Sequence, residues 1–146
     1  MKSEDRAILH APAQRVWAVL AEWRRYPEWM PDVAWVRSIG PGREAALELL
    51  VRTRVFGFPV ANDIMRVTAW EPPTKLAILH EGVVRGPAEW LLEPVDGGRS
   101  TRFTWAEDVT MWPPYLGELG LRIYWPWQRR MFRHSIENLR RLVERP

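Results

Sequence analysis

The stretch KLAILHEGVVRGPAEWLLEPVDGGRSTRFTWAEDVT, residues 75–110, decides the fold. It contains three strand-like segments, 75–85, 87–94 and 100–110, separated by Gly86-Pro87 and Asp96-Gly97-Gly98. Glycine, proline and aspartate at such separators favour turns. The same pattern extends back toward the N-terminus through the strand-like segments 33–39, 44–56 and 60–71. The regular spacing predicts an antiparallel meander of five to six strands.

Helical patterns flank this meander on both sides. A short strand at 4–10 is followed by helical periodicity from Ala13 to about Trp23 and by a short second helix at 26–30. After the meander, apolar residues at helical spacing predict a long helix from about 117 to 144, kinked or restarted at Pro126. We therefore predict the α+β class, with a curved sheet, a helix lying across it and a space between the two.

Alternation along the strands assigns side chains to the two faces of the sheet. The predicted inner face is mainly apolar and aromatic, with Trp90 and Trp105 among its members. Its three polar exceptions are His80, Glu107 and, from a less regular segment, Asp63. A buried carboxylate is costly unless it is paired, so Glu107 is expected to have a partner, contact with water or a raised pKa.

Composition limits the function classes. A chain of 146 residues is expected to form one domain, 1–146. It has no cysteine, which excludes disulfides, thiolate metal sites and a cysteine nucleophile. Its three histidines, His10, His80 and His134, have no metal-ligand spacing, so neither a metal nor a cofactor is expected. Ten tryptophans are more than a small core needs, and we expect some to line a cavity or an interface.

Charge and targeting patterns bear on partners and location. The net charge is +3, but the arginines alternate with acidic residues and no nucleic-acid-binding motif accompanies them, so no nucleic-acid partner is expected. The first residues lack the apolar core of a signal peptide. No apolar run is long enough to span a membrane. These features predict a cytoplasmic protein without stable membrane insertion, and leave a homodimer open.

Five motifs, in this order along the chain, resemble those of one superfamily. They are LHAPAQRVW (9–17), YPEWMPDV (26–33), VTAWEPP (67–73), EWLLEP with GRSTRFTW (89–94 and 98–105), and SIENLRRL (135–142). Together they resemble the START/SRPBCC superfamily, which has the helix-grip fold of the birch pollen allergen, and within it the polyketide cyclase/dehydrase-like branch. The resemblance covers essentially the whole chain.

This resemblance implies a hydrophobic small-molecule ligand held between the curved sheet and the C-terminal helix. Lipid-like, polyketide-like and aromatic ligands are all consistent with it, in a pocket of roughly 300–1,000 Å³. The residues expected to line that pocket are Trp35, His80, Trp90, Trp105, Glu107, Tyr124 and Trp127.

Two other functions stay open. In a polyketide cyclase or dehydratase, His80 or Glu107, with Asp63 as a further candidate, would move a proton. In a protein-interaction module, the Trp- and Pro-rich segment 111–127 would contact a partner. That segment is also consistent with a loop covering the core, a lid at the cavity mouth or an apolar docking patch. The structural alternatives are that a neighbouring strand or water satisfies His80, and that Glu107 pairs with an arginine.

Overall fold

The computed structural model describes residues 2–111 and 114–145. Its strands are β1 (Lys2–Leu9), β2 (Val33–Ser38), β3 (Glu48–Val55), β4 (Phe58–Glu71), β5 (Lys75–Glu81), β6 (Val84–Val95), β7 (Ser100–Asp108) and β8 (Thr110–Met111). Its helices are α1 (Ala13–Ala21), α2 (Tyr26–Trp29) and α3 (Pro114–Glu144). The predicted α+β class is confirmed, with two helices after the first strand and one long helix at the end.

The strands form one antiparallel sheet in the order β1-β7-β6-β5-β4-β3-β2. The predicted meander is confirmed, since β2 to β7 pair in chain order. β1 lies at the other edge and pairs with β7 along its whole length, from Lys2 opposite Asp108 to Leu9 opposite Thr101. The short β8 pairs with the start of β6. The first two strands, β1 and β2, are thereby placed at opposite edges of the sheet, and β1 lies beside β7.

Among the strand boundaries that differ from the prediction, two show how the local chain departs from its pattern. The segment 44–56 becomes a strand only at Glu48, because Glu44–Ala46 form a short 3-10 turn. The turn expected at Gly86-Pro87 occurs earlier, between Glu81 and Val84, and Gly86 lies inside β6. Gly86 has φ +134°, and a Cβ built on it would lie 2.2 Å from the carbonyl oxygen of Asp108. The glycine therefore permits a close approach of two backbones rather than a chain reversal.

The core lies between the inner face of the sheet and the helices. Val16 and Leu20, four residues apart on α1, are fully buried, as is Trp29 of α2. α3 contributes a buried stripe at helical spacing: Tyr124, Gln128, Phe132, Ser135, Ile136, Leu139 and Val143. Burial of such a stripe is the main source of stability for a helix of this kind.

α3 runs without a break through Pro126, so the predicted restart at this residue is wrong. Pro126 is solvent-exposed, and so is Arg122, the residue four positions earlier. A proline in a helix leaves the carbonyl of that earlier residue without its hydrogen bond. On the exposed side of α3, water can donate a hydrogen bond to this carbonyl, and the helix therefore tolerates the proline.

Candidate functional site

Two adjoining cavities lie against the inner face of the sheet, and α3 lines the outer one. The inner cavity has a volume of about 60 Å³, and the outer cavity has a volume of about 100 Å³. Five residues line both and form the partition: Met30, Met65, His80, Trp105 and Glu107. Both volumes are smaller than the 300–1,000 Å³ expected for a hydrophobic ligand pocket, because aromatic side chains fill much of the interior.

The inner cavity is almost entirely apolar and sits beside an aromatic cluster. Trp90 and Trp105 have ring centroids 5.5 Å apart, and both contact Trp29. Phe132 of α3 packs on Trp105 with a centroid distance of 4.6 Å. Trp90 lines the inner cavity and Trp105 lines both cavities. These two tryptophans therefore present a large apolar surface to the space, as the alternation of β6 and β7 predicts.

A buried polar cluster, Asp63–His80–Glu107, lies at the partition. Nδ1 of His80 is 2.5 Å from Oδ2 of Asp63, and Nε2 of His80 is 3.7 Å from Oε1 of Glu107. Trp105 donates a hydrogen bond from Nε1 to the same Glu107 oxygen, at 3.2 Å. The three predicted polar residues of the inner face thus meet at one place.

The strand register explains how this cluster forms. His80 on β5 lies opposite Gly86 on β6, and Glu107 on β7 lies opposite Ala88 on β6. Because neither β6 residue carries a bulky side chain, His80 and Glu107 can approach each other across that strand. Glu107 has His80 and Trp105 as its partners. The alternative interpretation, in which it pairs with an arginine, does not hold.

The surroundings of His80 favour its charged form. Burial opposes the charge, but the hydrogen bonds and charges of Asp63 and Glu107 outweigh burial and raise the pKa of His80 to about 10. At neutral pH the side chain is therefore an imidazolium held between two carboxylates. It can donate protons or hydrogen bonds, whereas it is a poor base in this state.

A second polar chain crosses the outer cavity from α3. The Tyr124 hydroxyl donates to Oε1 of Gln128 at 2.5 Å, and Nε2 of Gln128 donates to Oδ2 of Asp32 at 3.3 Å. Burial raises the pKa of Asp32 to about 6, a shift that the Gln128 hydrogen bond reduces. Burial, reinforced by the carboxylates of Asp32, Glu107 and Asp63, raises the pKa of Tyr124. This tyrosine is therefore neutral, and it donates its single hydroxyl proton to Gln128.

Sequence reasoning missed Asp32 and Gln128 as site residues. Gln128 lies four positions after Tyr124, which already had an inward assignment, so helical spacing alone could have found it. Asp32 directly precedes β2 and its role depends on a contact with α3, 96 residues away in the chain. No local pattern predicts such a contact.

Trp35 is the clearest departure from the predicted lining. A register irregularity between Val33 and Trp35 shifts the alternation of β2, so Trp35 lies opposite Arg52 on the outer face. There the guanidinium of Arg37 stacks over its ring, 4.4 Å from the centroid. Trp35 lines neither cavity, and the prediction that it does is corrected on this point.

Trp127 also lies outside the lining, because the inward face of α3 is rotated from the predicted one. Trp125 and Gln128 line the outer cavity instead. Trp127 packs beside Tyr124 and against Phe56 of the β3–β4 turn, with centroid distances of 5.5 and 5.6 Å. Of the predicted segment 111–127, residues 112 and 113, including Trp112, lie outside the described residues. Leu119 and Ile123 are exposed.

Comparison with known proteins identifies the family. A family model described as polyketide cyclase/dehydrase and lipid transport matches residues 1–144. The chain belongs to this family. The family description includes both an enzymatic activity and ligand transport, so membership indicates hydrophobic ligand binding or cyclase activity without deciding between them.

Three solved structures share the fold of this chain. A Thermus thermophilus protein has 14% identity and a TM-score of 0.81, with 98% of this chain and 97% of that chain covered. A START superfamily protein from Mycobacterium smegmatis has 16% identity and a TM-score of 0.78, covering 98% and 97%. An aromatase/cyclase from a Streptomyces species has 19% identity and a TM-score of 0.72, covering 98% and 91%. These similarities confirm the predicted helix-grip fold.

Three further results concern function. No curated protein matches the sequence. Among the described residues, no group of three or more histidine, aspartate or glutamate side chains is arranged to hold a metal ion. None of the helices in residues 2–111 and 114–145 combines the length and apolar composition needed to cross a lipid bilayer.

Proposed function

We propose that this protein binds a small hydrophobic molecule carrying at least one polar group, in the space between the sheet and α3. The observation that carries the proposal is the outer cavity, whose lining is mainly apolar and includes two groups of buried polar side chains. The Asp63–His80–Glu107 cluster lies on the sheet side, and Tyr124, Gln128 and Asp32 lie on the other. Apolar pockets with a few placed polar groups are typical of sites that bind and orient small molecules.

The partition supports a ligand larger than either cavity alone. Two of its five residues, Met30 and Met65, have unbranched and flexible side chains that adapt readily to a neighbour. Displacement of these two methionines would join the inner and outer cavities while the Asp63–His80 hydrogen bond stays in place. The aromatic cluster would then contact the apolar part of the ligand, and the polar walls would fix its orientation.

Filling the cavity should abolish this binding. Ala61 lies on the inner face of β4, opposite Thr53, and lines the outer cavity. We expect Ala61→Phe to weaken binding of a hydrophobic ligand at least ~100-fold, since the ring would occupy the ligand volume. The measurement is native mass spectrometry of protein purified from its natural host, followed by titration of the extracted molecule in isothermal calorimetry.

The matched control is Ala106→Phe, which places the same ring on the outer face of β7. Ala106 alternates with Trp105 and Glu107 and lines a separate surface depression. Ligand binding by this variant should equal that of the parent protein. Equal binding by Ala61→Phe and Ala106→Phe would place the ligand elsewhere and contradict the proposal.

Cyclase or dehydratase activity is a second candidate, which the charge on His80 favours. A dehydration needs an acid that protonates the leaving hydroxyl and a base that removes a proton from carbon. The His80 imidazolium and the Glu107 carboxylate stand side by side at the partition and could take these two roles.

For this candidate, His80→Gln should lower turnover of a polyketide substrate about 100-fold or more. Its ligand affinity should change far less, because the apolar contacts remain. Single-turnover kinetics with product analysis by mass spectrometry would measure the effect. Unchanged rates in His80→Gln would remove His80 from the chemistry and leave binding as the function.

A further inference from the structure

The charges around the outer cavity do not balance. Three carboxylates, Asp32, Asp63 and Glu107, line this cavity, and the only oppositely charged group among its described lining residues is the His80 imidazolium. Arg54 lies nearby on β3 and donates to the backbone carbonyls of Pro31 and Val33, but it does not line the cavity. Even when its charge is counted, three carboxylates face two cations. At neutral pH and above, the cavity walls therefore carry an excess of negative charge.

Burial and the carboxylates of Asp32, Glu107 and Asp63 raise the pKa of the Tyr124 hydroxyl in this cavity. The geometry adds a separate observation at Asp63. Oδ1 of Asp63 is buried and has no hydrogen-bond partner in the part of the chain that the structure describes. Asp63 itself is only 8% exposed. A buried carboxylate oxygen without a partner is costly, and a ligand that donates hydrogen bonds would relieve that cost.

The remaining walls suit an organic cation. Trp105, Tyr124, Trp125 and Phe132 surround the same cavity with aromatic rings. The face of an aromatic ring attracts a cation, and the attraction is strongest where water is excluded. A carboxylate-containing or phosphate-containing ligand would instead meet like charge, which disfavours binding by several kcal/mol in a buried site.

We propose that the ligand of the outer cavity is a small hydrophobic amine, bound as its ammonium ion by the carboxylates of Asp32, Asp63 and Glu107 with its apolar part against the aromatic walls. This inference rests on the proposed function and names its ligand class. The chemistry that recognises the ligand is a positive charge on nitrogen together with an apolar body, and the structure points to no particular compound.

Three probes of equal shape and different charge test this inference. They are benzylamine, benzyl alcohol and benzoate, titrated into the intact protein at pH 7.5 by isothermal calorimetry. We expect benzylamine to bind at least ~10-fold more tightly than benzyl alcohol, since its ammonium ion adds charge attraction to the hydrogen bond that either probe can donate to a carboxylate. Benzoate should bind most weakly of the three.

A charge-removing variant shows whether the preference comes from this cavity. Asp32→Asn keeps an oxygen that can accept the hydrogen bond of Gln128 but removes one negative charge. The ratio of the benzylamine to the benzyl alcohol affinity should fall about 10-fold in this variant. The control is Glu93→Gln, an exposed residue on β6 paired with Arg102, which should leave the ratio unchanged.

The outcomes separate the inference from the function on which it rests. If benzyl alcohol binds and benzylamine binds no better, or if Asp32→Asn leaves the ratio unchanged, the amine inference is overturned while the cavity remains a binding site. If none of the three probes binds, the proposed function fails and the inference fails with it.

Discussion

Replacing His80 with alanine should lower the free energy of unfolding by about 3–5 kcal/mol, the range typical of breaking a buried ion pair from one side. His80 is 9% exposed and is the positive group between Asp63 and Glu107. Without it, two neighbouring carboxylates stay buried with no cation between them. Urea unfolding followed by circular dichroism would measure the loss, with the slope of the transition checked for two-state behaviour.

Two controls separate this charge effect from a loss of packing. The triple variant Asp63→Asn, His80→Gln, Glu107→Gln replaces the cluster with neutral groups of similar shape and should recover most of the stability, because buried ion pairs can often be replaced at little cost. His134→Ala, on the exposed side of α3, should change stability by less than about 0.5 kcal/mol. A triple variant as unstable as His80→Ala would show that packing, not charge, dominates.

The sheet and most of the site follow from short-range patterns in the sequence. Side chains alternate strictly between the two faces of a strand. Once one residue of β5 and one of β7 are assigned to a face, His80 and Glu107 are therefore assigned to the inner face. Asp63 on β4 followed by the same argument. Pairing in chain order places these three residues on nearby strands, and the register, which alternation does not predict, brings them to the same level.

The errors occur where a local irregularity changes the period. One register shift in β2 moves Trp35 to the outer face, and the sequence around it carries no distinct pattern for that shift. On α3, the Trp-rich segment offers several apolar residues at helical spacing, and packing against the sheet selects Trp125 over Trp127. The choice depends on the rotation of the helix, which tertiary contacts decide.

The volume of the cavity and its electrostatics lie beyond sequence reasoning for a different reason. Both depend on the distances between side chains that are far apart in the chain, such as Asp32 and Gln128. The list of inward residues gave an aromatic, apolar space with three polar groups. It did not give the partition, the two small volumes, or the protonated state of His80, each of which depends on contacts of a few ångströms.

The stability of the protein should fall as the pH rises from about 7 to 10. His80 has a folded-state pKa of about 10, raised from an ordinary value of 6.5. A group with a raised folded-state pKa stabilises the fold fully below its unfolded pKa, and this contribution disappears as the pH rises through the folded value. Such a shift corresponds to a loss on the order of 5 kcal/mol across this range.

The other groups that face His80 do not reverse this trend. Asp63 of β4 and Glu107 of β7 are the carboxylates that hold the proton on its imidazole. Asp32 titrates near pH 6, below the range in question. Tyr124 of α3, together with Tyr26, has a raised pKa, so these tyrosines add a further loss of stability only above about pH 10.

Urea midpoints measured at half-unit steps from pH 6.5 to 10 would give this profile, and the imidazole signals of His80 in NMR would report its titration directly. The neutral triple variant supplies the reference, since it lacks the titrating group and should give a flat profile up to pH 9.5. If the parent protein gives the same flat profile, or if His80 titrates near 6.5, then the two carboxylates do not hold its proton.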